Sequence, residues 1–333
     1  MERNQLVGRS FDPFIVRNWR YHPVRGAMLL AEFYRSTWAM LPETLSVVQS
    51  VLHRRAVGGR VSDADLIKIA ADKAIRAERK QDATVAGGGM VAVLPLYGVL
   101  IPRGDPDDIS GGGVTGLQQF ADTFRKAASD LSVSSILIDI DSPGGSIFGV
   151  QEVCAEIQAC KKPVVALANP MAASAAYWIG TSASEFYCTP SGKVGSVGVY
   201  ACHFDESKAM EMAGITPTLI SAGKFKVEGN EFSPLDEECR GYMQGQVNAV
   251  YGQFVSAVAK GRKVPVADVR DGMGQGRMLL AKDAVGEKMV DGVATFGEVI
   301  QIMQKRIKTN QQAVTPAAQT RLRSAANNLL SVQ

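Results

Sequence analysis

Two short segments of this chain contain residue types that could carry out nucleophilic chemistry. Ser174 stands among alanines at the predicted start of a helix, in the run Asn169-Pro-Met-Ala-Ala-Ser-Ala-Ala-Tyr-Trp-Ile-Gly180. Lys226 ends a glycine-containing segment further along, Ser221-Ala-Gly-Lys-Phe-Lys226. A serine hydroxyl needs a base before it attacks a carbonyl, and a neutral lysine can be that base where no histidine serves. The pair predicts acyl transfer, with Ser174 as nucleophile and Lys226 as general base. The alanines around Ser174 are expected to leave room for a substrate, and Tyr177 and Trp178 to shape its pocket.

Each of these two residues also has a plain structural interpretation. A serine in an alanine-rich helix start is commonly just a small residue, and most lysines are solvated surface charges. A lysine has a reference pKa of about 10.4, so it becomes a useful base only where burial disfavours its charged form. Phe225 and Val227 flank Lys226 and are compatible with an apolar pocket. Lys224 is the alternative base, although it has the features of a solvated side chain.

A glycine turn supplies candidate groups for stabilising an oxyanion. Gly144 and Gly145 follow Asp-Ser-Pro at the end of an apolar run, and such a turn offers bare backbone N–H groups. We expect these two amides and that of Ala175 to form the oxyanion hole. Ser196, in Gly195-Ser-Val-Gly198, could orient the lysine amine. Turn glycines and turn serines are more often structural, so these roles depend on the Ser174 and Lys226 assignment.

Other catalytic arrangements find less support in the sequence. There are three histidines, His22, His53 and His203, and a Ser-His-Asp enzyme would have to use His203, which has no supporting pattern around it. We interpret His203 as structural. Asp139 and Asp141 share one face of a predicted strand, but nothing else suggests a metal or glycosidase site. Neither a metal nor an organic cofactor is expected.

Composition limits the classes of protein to consider. The 333 residues carry a net charge of +3, from 36 basic and 33 acidic residues, with no basic stripe that would favour nucleic acid. The five cysteines form no C-x-x-C pair and are expected to be reduced, mostly buried thiols. No window approaches the roughly 20 apolar residues that span a bilayer, and the first residues lack a signal-peptide pattern. We therefore expect a soluble cytoplasmic protein without a membrane partner.

Strands and helices alternate from about residue 90, which predicts an α/β core. Strands are predicted at 91–96, 136–140, 163–168, 197–201 and 216–221. Helices are predicted around 117–128, 147–157 and 174–181, and from a cap at Ser233. Before the glycine break at 85–89 the sequence predicts an extended stretch at 29–39, a helix at 42–55 and a charged helix from a capping box at 62–65 to about 81. Gly111-Gly-Gly113 is expected to be a hinge or lid loop, and residues 305–333 to be disordered or weakly helical.

Four motifs taken together resemble the signal peptide peptidase A family of serine peptidases. They are the glycine-turn run Ile138–Ser146, the Ser174 segment, Gly195–Gly198, and Gly223–Lys226 leading into Ser233-Pro234. The resemblance covers about residues 90–300. It implies a Clp-peptidase/crotonase-like core of ββα units, a Ser–Lys dyad of Ser174 with Lys226 rather than Lys224, and a homo-oligomer.

An N-terminal motif narrows the resemblance. Phe33-Tyr-Arg-Ser-Thr-Trp-Ala-Met-Leu-Pro-Glu43 is similar to the head of the phage prohead (capsid assembly) proteases of that family. This implies an endopeptidase that cleaves scaffold, major capsid or portal protein during phage head maturation, in the cytoplasm of the bacterial host and inside the immature capsid. The expected domains are an N-terminal extension (1–85) that docks to capsid proteins or covers the site as a propeptide, a peptidase core (90–300), and a flexible tail or scaffold-linker remnant (301–333).

Three other functions remain open at this level. A host cytoplasmic peptidase that degrades signal peptides would share the dyad, but the lack of an anchor counts against it. A catalytically silent assembly scaffold protein would share the fold, but it would have no chemical reason to keep both Ser174 and Lys226. A crotonase-type acyl-CoA enzyme would use the same backbone amides, but it would need acid–base carboxylates in place of the dyad.

Overall fold

The computed structural model describes residues 37–45, 85–86, 89–103 and 113–309. The chain divides into two compact units. The larger contains Thr37–Leu41, Ile67–Ala201 and Glu237–Gln333, and the smaller contains Met1–Ser36, Pro42–Leu66 and Cys202–Asp236. The units therefore do not follow the linear order of the chain.

The described elements are numbered here in chain order. The strands are β1 Thr37–Met40, β2 Val85–Ala86, β3 Gly89–Tyr97, β4 Val99–Ile101, β5 Val114–Gly116, β6 Val133–Ser142, β7 Gly144–Ser146, β8 Val164–Ala173, β9 Glu185–Cys188, β10 Lys193–Gly195, β11 Tyr200–Ala201, β12 Met278–Leu280 and β13 Gly292–Val293. The helices are α1 Leu117–Ser129, α2 Val150–Ala159, α3 Ala175–Gly180, α4 Ser207–Met212, α5 Glu237–Arg262, α6 Val266–Asp271, α7 Ala281–Gly286 and α8 296–309, and a helical turn covers 42–45.

The main sheet has the strand order β12-β10-β8-β6-β3-β2, and its central strands β3, β6, β8 and β10 run parallel. Alternate residues of β6 face opposite sides of the sheet, and both sides are buried, which explains the nearly continuous apolar run. Ile136, Ile138 and Ile140 join a core with α1, α2, α3 and α5, whereas Leu137 joins a second core with α8. The sheet is thus covered by helices on both faces.

A smaller sheet has the order β11-β1-β7-β4-β5. The strand β6 of the main sheet is followed by β7 of the smaller sheet and then by α2. In the same way, β3 is followed by β4 and β5 and then by α1. These repeats confirm the predicted α/β core of ββα units.

The strand β8 changes its neighbours along its length, and this positions the residue that follows it. Val165 to Ala168 pair with β9, whereas Met171 to Ala173 pair with β10, beyond Pro170. The chain therefore reaches Ser174 beside the end of β10.

Three element predictions need correction. The predicted strand at 216–221 is irregular, with Leu219 and Ile220 exposed, because an apolar run forms a strand only where a neighbour pairs with it. The helix α5 begins at Glu237 rather than just after the predicted cap Ser233. Residues 301–309 are helical rather than a flexible tail, because Met303 and Ile307 extend the apolar stripe of α8 into the second core.

Several predictions lie outside the described residues. These are the extended stretch before Thr37, the helix beyond residue 45, the charged helix from 62 to 81, most of the 111–113 loop and the tail beyond 309. All five cysteines lie within the described ranges and carry free thiols, and three of them are buried.

An ion pair joins the end of α5 to the segment before β13. Arg262 donates from Nη1 and Nη2 to the carboxylate of Asp291 at 3.0 and 2.8 Å, and the arginine side chain is only 7% exposed. The carboxylate also accepts from the Phe186 backbone N–H at 2.7 Å. Burial alone would raise the pKa of Asp291, but the hydrogen bonds from Arg262 and Phe186 outweigh it and hold that pKa below its usual 3.8.

We expect Asp291→Asn to lower the free energy of unfolding by about 2 kcal/mol at neutral pH, because the buried guanidinium loses its charged acceptor. The wild type should also lose stability as the pH falls below about 4, since the unfolded carboxyl takes up a proton before the folded one. Urea unfolding at pH 7 and pH 3 measures both effects. Glu185→Gln, which breaks the more exposed pair with Arg306, is the control and should cost less than about 1 kcal/mol. Equal losses in the two variants would contradict the argument.

Candidate active site

Ser174 lies at the turn between β8 and α3, in a backbone conformation that few non-glycine residues adopt. Its φ is 53° and its ψ is −117°, and the residue is fully buried. A non-glycine residue in such a conformation costs about 1–3 kcal/mol, and strained turns of this kind cluster at reacting side chains. The Ser174 N–H donates to the carbonyl oxygen of Gly195 at 2.7 Å, which fixes the turn against the end of β10.

The loop after β10 lies against this turn. Gly195 pairs in register with Ala173, and the Ser174 hydroxyl donates to the carbonyl oxygen of Gly198 at 3.4 Å. Ser196, between the two glycines, is buried with φ 55°, and its N–H donates to the carbonyl oxygen of Arg277 at 2.9 Å. Ser174 and Ser196 therefore belong to one cluster of turns, although the role predicted for Ser196 stays a prediction.

The glycine turn lies beside the same cluster. A Cβ on Gly144, whose φ is +93°, would lie 3.0 Å from the carbonyl oxygen of Ala173, and a Cβ on Gly145 would lie 2.0 Å from that of Leu100. Both positions therefore require glycine. The Gly144 N–H donates to the Ser142 hydroxyl at 3.1 Å, and this hydroxyl donates in turn to the carbonyl oxygen of Gly98 at 2.6 Å. The Gly144 amide is thus engaged within its own turn.

The small and aromatic residues around Ser174 have a different role from the one expected. The neighbouring alanines were expected to leave room for a substrate, and Tyr177 and Trp178 to shape its pocket, but all of them are buried. Tyr177 donates from its hydroxyl to the carbonyl oxygen of Met289 at 2.9 Å, and Trp178 stacks on Phe254 with ring centroids 4.6 Å apart. These residues anchor α3 in the core, so the alanines serve close packing.

The predicted base lies in the smaller unit. Lys226 is exposed in a series of turns after Gly223, and its N–H donates to the carbonyl oxygen of that glycine at 3.1 Å. The alternative base, Lys224, places its ammonium 4.4 Å from the ring centroid of Phe225, which is itself 50% exposed. Phe225 and the partly buried Val227 therefore do not form the apolar pocket that was expected around Lys226. The pairing of Ser174 with Lys226 stays a prediction.

The residues set aside in the sequence occupy structural positions. His203 contacts the carbonyl oxygen of Asn230 through Nε2 at 3.0 Å. Asp139 is buried and accepts hydrogen bonds from the Tyr97 hydroxyl and, at 3.1 Å, from the Asn169 amide. This explains a carboxylate within an apolar strand without a catalytic role.

A known protein family matches the segment that contains Ser174. Residues 156–310, which include the Ser174 turn, the loop after β10 and Lys226, match peptidase family S49. We therefore place this segment of the chain among the S49 peptidases.

The chain is similar to proteins from phages and from cells. It is 30% identical over 234 residues to capsid assembly protease C of Escherichia phage lambda, an alignment that covers 69% of this chain and 52% of that protein. It is 30% identical over 239 residues to the head-tail preconnector protein GP5 of Enterobacteria phage P21, covering 71% and 47%. Protease 4 of Haemophilus influenzae is 28% identical over 224 residues, covering 66% and 35%. The chain thus spans about half the length of the phage relatives, or less.

Among the described residues, no helix is both long and apolar enough to cross a membrane.

Two features of this site were missed in the sequence. One is Ser142, whose hydroxyl holds the glycine turn, and the Ser-Pro-Gly spacing could have indicated it because serine hydroxyls commonly bond the amide two residues on. The other is the pairing of β1 with β7 beside that turn, because only an extended stretch at 29–39 was predicted there. This pairing is long-range, so a local pattern gave no signal for it.

Proposed function

We propose that this chain is an S49 serine endopeptidase that uses Ser174 and Lys226, and that it cleaves capsid, scaffold or portal proteins during phage head maturation. The observation that carries the peptidase chemistry is the strained, buried turn at Ser174 between a strand and a helix. Similarity to a capsid assembly protease and to a head-tail preconnector protein supports the phage role.

The nucleophile in this proposal is the Ser174 hydroxyl. Its long hydrogen bond to the Gly198 carbonyl leaves it only weakly held, so it can turn to a base without a large loss. Lys226 Nζ takes the Ser174 proton, and Oγ then attacks the carbonyl carbon of the substrate peptide bond. The bond to the leaving nitrogen breaks as that nitrogen accepts the proton, and water later releases the acyl group from Ser174.

The oxyanion would lie between the backbone amides of Gly145 and Ala175. Ala175 is the first residue of α3, where an N–H group has no acceptor within the helix. Gly144 gives the turn its shape, and its own amide would join only by leaving the Ser142 hydroxyl. Preorganised donors of this kind typically contribute about 10²- to 10³-fold to the rate.

Lys226 requires a less polar setting than the exposed turn in which it lies. A lysine acts as a base in its neutral form, which burial favours. Assembly with further copies of the chain, or the bound substrate, would supply that burial. A homo-oligomer is therefore the proposed working form. We propose that it acts in the host cytoplasm and within the immature capsid, and that it uses no metal, organic cofactor, nucleic acid or membrane.

The proposal is tested by expressing the chain with phage capsid, scaffold and portal proteins, as wild type and as Ser174→Ala. We expect the wild type to yield discrete fragments and the variant to reduce their rate of formation by at least about 10⁴-fold, because the acyl acceptor is gone. Intact-mass spectrometry identifies each cleaved protein and its sites. The melting temperature should change little, because the hydroxyl makes one long hydrogen bond.

Three outcomes would change the proposal. Fragments that persist in Ser174→Ala would remove Ser174 from the mechanism. Intact proteins that still co-assemble in both samples, together with a negative peptide-library screen, would favour the silent scaffold protein. Cleavage of isolated signal peptides but not of capsid proteins would favour the role of a host signal-peptide peptidase.

A further inference from the structure

The strand β1 occupies an unusual position for a segment so near the start of the chain. It lies between β7 and β11 and is antiparallel to both, with Trp38 opposite Ser146 on one side and opposite Tyr200 on the other. Trp38, Ala39 and Met40 are 6%, 0% and 1% exposed. All three strands and the Ser174 turn belong to the larger unit.

The strand β1 also runs directly past the glycine turn. The Cβ position of Gly144 is 2.2 Å from the carbonyl oxygen of Ala39 and 3.0 Å from that of Ala173, the residue before Ser174. Gly144 therefore lies next to both β1 and the residue that precedes Ser174. The Leu41 N–H donates to the carbonyl oxygen of Pro143 at 2.9 Å.

The hydrogen-bond pattern indicates which amide faces β1. In an antiparallel ladder the hydrogen-bonded pairs recur every second residue. Leu41 and Pro143 form one such pair, so Ala39 and Gly145, which are opposite each other, form the next. The Ala39 carbonyl is thus the partner of the Gly145 amide, one of the two amides proposed above for the oxyanion.

A substrate would have to occupy the position that β1 holds beside β7. Its scissile carbonyl must reach the Gly145 amide beside Ser174, and its backbone must be extended to pass along β7. Neighbouring strands are about 4.8 Å apart, so β7 and β11 are separated by the width of one strand. In the structure β1 fills that width.

We propose that the slot between β7 and β11 is the substrate-binding site, which takes an extended peptide by strand addition, and that Thr37–Leu41 is a built-in occupant that a substrate must displace. The inference rests on the proposed function, because it uses the Gly145 amide and Ser174 as the site of chemistry. A tethered occupant is present at an effective concentration of the order of millimolar, so it competes with any substrate in solution. The chain on its own is therefore held at low activity until β1 leaves the slot.

A reversible disulfide tests this. Thr37 and Ala201 are register partners and are both half-buried, and the separation of such partners matches the Cα distances that disulfides span. The full-length chain carries Thr37→Cys and Ala201→Cys with Ser174→Ala, in a Cys202→Ser background that removes the adjoining thiol. The probe is a fluorescein-labelled peptide of residues 33–43, and its affinity is measured by fluorescence anisotropy before and after reduction.

The proposal predicts that the oxidised protein binds the probe at least about 10-fold more weakly than the same protein after reduction, because the locked strand cannot leave. Variants that carry only one of the two new cysteines should, under the same oxidant, bind the probe as the reduced protein does. Equal affinity in the two redox states would overturn the proposal. Ala39→Pro is the second variant, since it removes an N–H from the middle of β1. At a temperature where circular dichroism shows both proteins folded, Ala39→Pro should bind the probe at least about 10-fold more tightly than the protein with Ala39. Unchanged binding would again overturn the proposal.

A parallel measurement keeps the two proposals apart. The same cysteine pair with Ser174 intact is assayed for cleavage of the co-expressed capsid proteins. Probe binding that follows the redox state without any cleavage would support the slot and count against the peptidase function. Cleavage at one rate in both redox states would retain the peptidase function and overturn the slot.

Discussion

Replacing Lys226 with alanine is expected to reduce peptide hydrolysis by at least about 10⁴-fold, because the Ser174 proton loses its acceptor in the proposed mechanism. The lysine is exposed in its unit, so the substitution removes little packing and the melting temperature should stay within about 2 °C of the wild type. Lys226→Arg should be equally inactive, because a guanidinium does not deprotonate in proteins. The measurement is kcat/KM on the protein that the wild type processes.

Lys224→Ala is the matched control for this prediction. It removes the same charge two residues away, from a side chain that lies over Phe225, and it should keep activity within about 3-fold. Loss of activity in Lys224→Ala with full activity in Lys226→Ala would move the base to Lys224. Mixing inactive Ser174→Ala with inactive Lys226→Ala then shows whether the two groups act within one chain, since recovery of activity requires them to come from different copies.

Gly145→Ala should impair both activity and stability. The new Cβ would lie 2.0 Å from the oxygen and 2.5 Å from the nitrogen of Leu100, so β4 and β7 must move apart. We expect a loss of about 1–3 kcal/mol in the free energy of unfolding. Displacing the Gly145 amide should also lower kcat by about 10²-fold or more, as the loss of an oxyanion donor does.

Gly241→Ala is the matched control, because it makes the same change where there is space. Gly241 lies within α5, and among the described residues no atom outside its chain neighbours and the backbone of its own helix lies within 4 Å of its Cβ position. Alanine is the better helix former, so this variant should be more stable by up to about 1 kcal/mol and fully active. Thermal melts and kcat/KM compare the two. Normal stability and activity in Gly145→Ala would contradict the place assigned to the glycine turn.

Most of the local structure around the candidate site could be predicted from short stretches of sequence. The apolar run at 136–140 predicted β6, and Pro-Gly-Gly predicted the turn after it, because these patterns reflect the backbone preferences of a few adjacent residues. The alanine-flanked Ser174 likewise predicted a strand-to-helix turn. The resemblance to a peptidase family depended on the same motifs in their order along the chain.

The burial of side chains was harder to predict than the positions of strands and turns. The alanines beside Ser174 were interpreted as space for a substrate, yet the structure fills that space with the packed residues of α3. Asp139 was set aside as one of two carboxylates, and its burial with Tyr97 and Asn169 became visible only once β3, β6 and β8 lay side by side. Side-chain surroundings depend on residues from several elements, which no single window of sequence contains.

The sequence by itself determined the α/β class, the glycine turn and the position of Ser174 between a strand and a helix, because these follow from local conformational preferences. The ββα repeat was implied only by the family resemblance. Only the tertiary structure decided that β1 pairs between β7 and β11, that α8 continues through Ile307, and that Lys226 lies in a different unit from Ser174. Each of these depends on contacts between residues far apart in the chain. Such contacts form because they bury apolar side chains or satisfy backbone groups, and a long-range partner leaves no mark in the adjacent residues.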